Sequence, residues 1–457
     1  MRLKSIFTNG TGILSSRILG FIRDMLMASI LGVNIFSDIF AIAFKIPNLF
    51  RRIFGEGAFV QSFMPSFVAS KHKGVFATTI LLRFLLFIIL ASVLVNLFAP
   101  YLTKSIAIGF DEDTIALASP LVAINFWYLD LIFLVTFLAT LLQYKEHFAT
   151  TAFSTALLNI SMIIALILYA KESPQMIVYA LSISVVVGGV LQLIAHLITI
   201  RRFKLDKLLV GGFKYRDKRD ISDDTKRFNS QFFPAIIGSS TAQISAFLDT
   251  MMASFLITGS ISYLYYANRV FQLPLALFAI ATATALFPTI SKAIKNGDEA
   301  KAYQNLSKAF WILSFTLGFS LIGGVVFSEH IIWLLFERGE FTNTNTIESA
   351  KVLMAYMVGL LPFGLAKLFS LFLYASHKQG RAAIISSLIL MQYYGAMGLA
   401  LASSIGGWVL FILTIKEVGF DRFIDIIYSK YSLYFIVSLS IFIVISIWIN
   451  EIIKGFM

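Results

Sequence analysis

Ionisable residues set inside segments apolar enough to cross a bilayer constrain this chain more than any other feature. In SSRILGFIRDMLMASILGVNIFSDIFAIAFKIPNLFRRIFGEGAFVQSF (15–63), Arg17, Arg23 and Asp24 fall in a first apolar segment. Asp38, Lys45, Arg51, Arg52 and Glu56 follow in a second. A charged side chain near a bilayer centre costs about 2.5–3.5 kcal/mol on insertion scales, so such residues face a bundle interior or a water-filled cavity. Asp38, Lys45 and Arg52 recur every seventh residue, a spacing that drifts only about 20° per heptad on a helix. One face of one helix therefore carries an acid and two bases over about 21 Å.

The rest of the chain reads as the housing of these charges. With 58% hydrophobic and 14% charged residues, it departs from the roughly 25% charged composition of soluble domains. It is predicted to be an all-α polytopic membrane protein. The absence of cysteine removes disulfides, thiol nucleophiles and thiolate metal sites. His72, His147, His196, His330 and His377 are scattered, with no pair at metal-ligand spacing. The start, MRLKSIFTNGTG, has no small-residue cleavage site after a compact apolar core, so the first helix is expected to stay.

Windows of about 20 apolar residues fall near 7–32, 34–54, 75–100, 118–142, 148–170, 175–200, 229–257, 260–290, 305–335, 350–376 and 430–450. Most of the 37 lysines and arginines then lie on one side, ten of them in 201–227. The positive-inside rule places that side, and the N-terminus, in the cytoplasm. The same asymmetry accounts for the net charge of +12 without nucleic acid. SHKQGR (376–381) and KEVGFDR (416–422) are both basic and should share a side, so an even number of crossings separates them. Two short spans, near 382–395 and 397–415, bring the expected total to thirteen, with a re-entrant hairpin as the alternative. FDRFIDIIYSKYSLYF reads as an interfacial amphipathic helix leading into the last span.

The hydrophilic stretch after the sixth span divides the chain. MASIL (27–31) precedes it and MASFL (252–256) follows it, each at the outer end of the first span of its half. Each is followed by two prolines, Pro47 and Pro65 or Pro274 and Pro288. Two halves entering from the same side are parallel repeats about an axis along the membrane normal, a common transporter plan. The expected organisation is an N-terminal six-helix lobe (1–203), a cytoplasmic linker (204–227), a C-terminal six-helix lobe (228–416), and an interfacial helix with a final span (417–457).

Ordinary roles account for some of the charges. Arg51, Arg52 and Glu56 near a span end can snorkel or pair at i, i+4, and Arg83 can snorkel too. Lys367 and Arg269 lie deeper. Arg17, Arg23, Arg51, Arg52, Arg269 and Lys367 still outnumber Asp24 and Asp38, which points to an anionic ligand. The planar fork of arginine suits phosphate oxygens bidentately.

SRILGFIRDMLMASILG, SDIFAIAFKIPNLFRRIFGEGAFVQSFMP, LLNISMI and YYANRVFQLP resemble the signature segments of the MurJ (MviN) family. These are lipid II flippases of bacterial cell-wall synthesis, in the multidrug/oligosaccharidyl-lipid/polysaccharide (MOP) exporter superfamily. The similarity runs from about residue 3 to 380. It implies two six-helix lobes about a V-shaped cavity that alternates access in the cytoplasmic (inner) membrane. The implied cargo is an undecaprenyl-diphosphate-linked disaccharide pentapeptide, moved outward. Cavity-lining positions of the family correspond to Arg17, Arg23, Asp24, Asp38, Arg51, Arg52 and Arg269. Glu56 matches a gate acid, Lys367 reads as a gate or ion-pair residue, and Asp249 matches a sodium-ligand position of some members.

Two departures follow. Members usually have fourteen spans, the last pair forming a groove for the polyprenyl tail, whereas one helix is expected here after the second lobe. The partners of a sodium site on the eleventh span are not recognisable, so Asp249 reads equally as a buried acid paired with a base. The expectation is a transporter, not an enzyme, with no cofactor beyond that candidate sodium ion. Its partners are lipid II, membrane lipids and the cell-wall synthesis machinery, and nucleic acid is not among them. Rival readings are a flippase for another polyprenyl-linked oligosaccharide, a MOP-type exporter, a membrane glycosyltransferase on the same lipid, and a scaffold. Cationic-drug export would need acids, glycosyl transfer would need larger outside loops than 103–114 and 337–349, and a scaffold leaves the buried charges unexplained.

Overall fold

A computed structural model describes residues 3–50, 58–280, 298–370 and 379–454, with isolated positions between 281 and 297. Among the described residues the structure is helical, with turns and no strand. Among the described residues, eight helices are long and apolar enough to cross a membrane, against the thirteen spans expected. The burial pattern is that of a bilayer protein rather than of a soluble bundle. In α4 (Lys73–Leu97) only 17% of the apolar window is buried, and Leu86, Phe87 and Leu97 are each more than 60% exposed. A run of that kind is stable only against hydrocarbon.

The chain packs as two compact units that divide after Phe255. The first begins with α1 (Leu3–Leu31), α2 (Ile35–Phe50) and α3 (Ala58–Ala69). Asn34 starts α2: its side-chain oxygen accepts from the backbone N–H groups of Phe36 and Ser37, satisfying donors the helix leaves open. After α4 come α5 (Ala99–Ile106), α6 (Glu112–Tyr144), α7 (Ala149–Leu168) and α8 (Pro174–Arg202). Asp111 caps α6 by accepting from the Thr114 N–H at 2.8 Å, and Ser173 with Pro174 starts α8 in the same manner. The linker contains a short helix, α9 (Leu205–Lys214), before α10 (Ser222–Ala253).

Two packing devices hold this unit. Gly12, Ser16 and Gly20 lie every fourth residue on α1 and let α7 approach closely. A Cβ at Gly12 would stand 2.7 Å from that of Ala152, and the Ser16 hydroxyl donates to the Ala152 carbonyl at 3.1 Å. The second is aromatic. Phe59 of α3 meets Phe84 of α4, Phe133 of α6 and Phe228 of α10 with ring centroids 5.4, 5.5 and 6.1 Å apart, all edge to face. Such pairs contribute about 0.5–1.5 kcal/mol each beyond area burial. They group α10 with the first unit in packing, although the sequence repeat starts the second half at this helix.

The second unit contains α11 (Ser260–Pro274), α12 (Glu299–Val326), α13 (Ser328–Phe336), α14 (Asn343–Met357), α15 (Leu360–Ser370) and α16 (Gln379–Val418), then α17 (Phe420–Ile427) and α18 (Lys430–Lys454). Pro274 ends α11, and a π-helical turn over Leu275–Ile280 follows. α16 is broken at Gly395, whose φ of 52° and ψ of −131° suit only glycine. The break falls at the junction expected between the two short segments. α17 covers only the first half of the stretch expected as one amphipathic helix, because the helix breaks at 428–429 and Lys430 onward belongs to α18; it is anchored where Trp311 Nε1 of α12 donates to the Ile426 carbonyl at 3.3 Å. α18 has 6% of its window buried, the least of the eight.

Candidate functional site

The charged residues of α1 form a built arrangement in the first unit. Arg23 and Asp24 are 3% and 1% exposed. Arg23 Nη2 lies 2.6 Å from Asp24 Oδ1, and Nε donates to the same oxygen at 3.1 Å. The other guanidinium nitrogen, Nη1, donates to Asn159 Oδ1 on α7 at 3.0 Å and lies 3.6 Å from Met162 Sδ. The guanidinium also stands over the Phe44 ring of α2, 5.6 Å from its centroid. Asn159 is oriented in turn, because its amide donates to the Ser16 carbonyl at 3.0 Å. The ion pair is thus clamped between α1, α2 and α7, which offsets the desolvation of both charges.

Arg17, two turns before Asp24 on α1, is exposed. Asp38 is buried at 2% exposure in the first turn of α2. Two turns on, Lys45 is half-buried and donates to the Thr250 hydroxyl of α10, so the seven-residue face carries an inter-helix tie at its second position. Asp249, beside Thr250, is half-buried. Arg51, Arg52 and Glu56 lie outside the described residues.

Arg269 and Lys367 belong to the second unit. Arg269 on α11 is half-buried, with its guanidinium carbon 5.3 Å from the Tyr265 ring centroid and Nη2 3.2 Å from the Tyr265 hydroxyl. Lys367 on α15 is exposed. Among the described residues, no group of three or more His, Cys, Asp or Glu side chains is placed to hold a metal ion.

Sequence reasoning missed three partners of these charges: Asn159, Phe44 and Thr250. Asn159 had a legible signal, being an amide in the middle of the apolar run LLNISMI. Phe44 and Thr250 had none, since a phenylalanine and a threonine in apolar helices look ordinary until the neighbouring helix is placed.

The all-helical fold is that of a MOP-type transporter. The inward-facing structure of a multidrug resistance MATE family transporter of the MOP superfamily matches 93% of this chain and 95% of its own, with a TM-score of 0.58 at 13% identity, which establishes the fold alone. The structure titled "Lipid II flippase MurJ, inward closed conformation" matches 98% of both chains with a TM-score of 0.78 at 26% identity. The family model described as Lipid II flippase MurJ matches residues 27–457, and the chain belongs to that family. A relative from Helicobacter pylori (strain ATCC 700392 / 26695), named "Probable lipid II flippase MurJ", is 50% identical over 423 residues, 88% of this chain and 92% of the relative. One of the same name from Buchnera aphidicola subsp. Acyrthosiphon pisum (strain APS) is 33% identical over 491 residues, covering 99% and 94%.

Proposed function

We propose that this chain is a lipid II flippase, a transporter that moves the lipid-linked peptidoglycan precursor from the cytoplasmic to the outer leaflet of the cytoplasmic membrane by alternating access. The family match over 27–457, with half identity to a relative of that printed name, carries the reading. The chemistry of the chain agrees with it. A diphosphate-linked cargo is an anion, and Arg17 and Arg269 offer forked donors that suit phosphate and carboxylate oxygens. Asp24 pairs with Arg23, and in this reading it serves to position that arginine. The N-terminus and 201–227 face the cytoplasm in this reading, following the distribution of bases.

Expression in a bacterium depleted of its own lipid II flippase tests the proposal. Growth with normal shape is expected; lysis with precursor trapped on the cytoplasmic side contradicts it. A polymerising glycosyltransferase would fail this test, because it acts on precursor that has already crossed.

A further inference from the structure

A basic cleft on the linker side of the first unit lies apart from the charges of α1 and α2. It has a volume of about 350 Å³ and forms where α9 crosses the start of α4. Lys71, His72, Lys73, Lys207, Tyr215 and Arg219 line it. None of the five acids in 201–227 does. Three of those acids are engaged elsewhere: Asp217 pairs with Arg216 at 3.5 Å, Asp220 accepts from the Ser222 N–H at 2.8 Å, and Asp224 accepts from the Ser70 hydroxyl at 2.6 Å. The cleft is therefore cationic in an otherwise mixed segment.

Its depth is fixed by close backbone packing. Gly74 has no room for a side chain, since a Cβ there would stand 2.6 Å from the Leu208 carbonyl oxygen, and Gly212 is closed off by the Gly74 backbone. The Thr78 hydroxyl donates to the Leu209 carbonyl at 3.1 Å. Gly74 and Thr78 occupy the first turns of a membrane-spanning helix, so α9 is held within about 9 Å of the end of that span. That is the depth at which an amphipathic helix lies in the interface. α9 carries both kinds of exposed side chain: Val210 and Phe213 are 69% and 64% exposed, with Lys207 and Lys214 exposed beside them.

We propose that this cleft binds the phosphate of an anionic phospholipid headgroup in the leaflet on the linker side, with Val210 and Phe213 seated among the acyl chains. A soluble acidic protein would gain nothing from apolar side chains at this depth, whereas a lipid meets both features in one molecule. The cleft lies outside the transport residues and requires neither a particular cargo nor a particular orientation of the chain.

The test uses the purified full-length protein in nanodiscs of equal parts phosphatidylglycerol and phosphatidylcholine, with a trace of either lipid carrying a photoactivatable headgroup. Phosphatidylglycerol is expected to crosslink to 71–75 and 207–219, and phosphatidylcholine only weakly. The Lys71→Gln/Lys207→Gln/Arg219→Gln variant changes exposed side chains only and should lower the phosphatidylglycerol yield at least about fivefold, the effect expected of one base near an anionic surface. Lys226→Gln/Arg227→Gln, on the same side but outside the cleft, should leave the yield unchanged. Equal labelling by the two lipids, an unchanged yield in the triple variant, or an equal loss in the control overturns the proposal. Complete displacement by millimolar inorganic phosphate overturns the lipid source and assigns the cleft to a free anion.

Discussion

Asp24 Oδ1 receives both Nε and Nη2 of Arg23, at 3.1 and 2.6 Å, from the adjacent residue of the same helix. Side chains at i and i+1 diverge on a helix, so the contact forms because Arg23 folds back while its third nitrogen reaches Asn159. A buried guanidinium of this kind stiffens the helix that carries it. Removing one partner strands the other.

Asp24→Ala is therefore expected to destabilise the protein by about 3–5 kcal/mol, the cost of breaking a buried pair. Arg23→Ala should also lower the amount of protein in the membrane. Replacing both, as in Arg23→Met/Asp24→Leu, should recover most of the stability while transport stays lost. Thermal unfolding in detergent together with complementation checks this; full complementation by the double replacement would remove the pair from the transport account.

Arg17 is exposed, so Arg17→Ala should leave membrane levels normal and abolish transport, because the lost partner is the cargo. Arg269 is half-buried against Tyr265 and should behave similarly, with some loss of stability. Lysine at either position should rescue only in part, since a point charge does not reproduce bidentate geometry. Immunoblots of membranes beside complementation assays separate the two effects. Alanine variants that complement fully contradict a cationic cargo site.

The split between these arginines shows what the sequence could and could not convey. Apolar length made eight of the expected spans legible among the described residues, because it follows from solvent transfer alone. The junction expected near 395–397 between two short segments coincides with the break at Gly395, although that expectation did not name the glycine itself. Burial of individual charges was not legible. Arg17 and Arg23 share a helix and a motif, and only the placement of Asn159 and Phe44 makes one a clamped internal ion and the other an accessible one. α9 went unseen because LDKLLVGGFK sits in a hydrophilic linker, and its glycine pair, of which Gly212 permits the approach to α4, reads from sequence as a helix breaker.

Orientation is open to direct test in a chain without cysteine. A Ser222→Cys variant, at the start of α10, should resist an impermeant thiol reagent in intact cells and react after permeabilisation. Lys104→Cys, in α5, should react in both. Labelling of the Ser222→Cys variant in intact cells would invert the topology.

The driving force follows from the sign of the cargo. Moving an anion out of an inside-negative cell is downhill by about 2.3 kcal/mol per net charge per 100 mV. Transport is expected to slow when the potential is collapsed and to tolerate both sodium removal and Asp249→Asn. Activity that survives loss of the potential but stops without sodium, or with Asp249→Asn, would make Asp249 a coupling residue.

Outward movement of lipid II is measured most directly as the share of lipid II exposed on the outer leaflet of cells whose only flippase is this chain. An impermeant reagent or enzyme that acts on the exposed precursor reads it. With this chain as the sole flippase, the exposed share should match that of cells carrying their native flippase. In cells expressing Arg17→Ala at equal membrane level, precursor should accumulate inside with almost none exposed. Equal exposure in both strains, or none in either, contradicts the account.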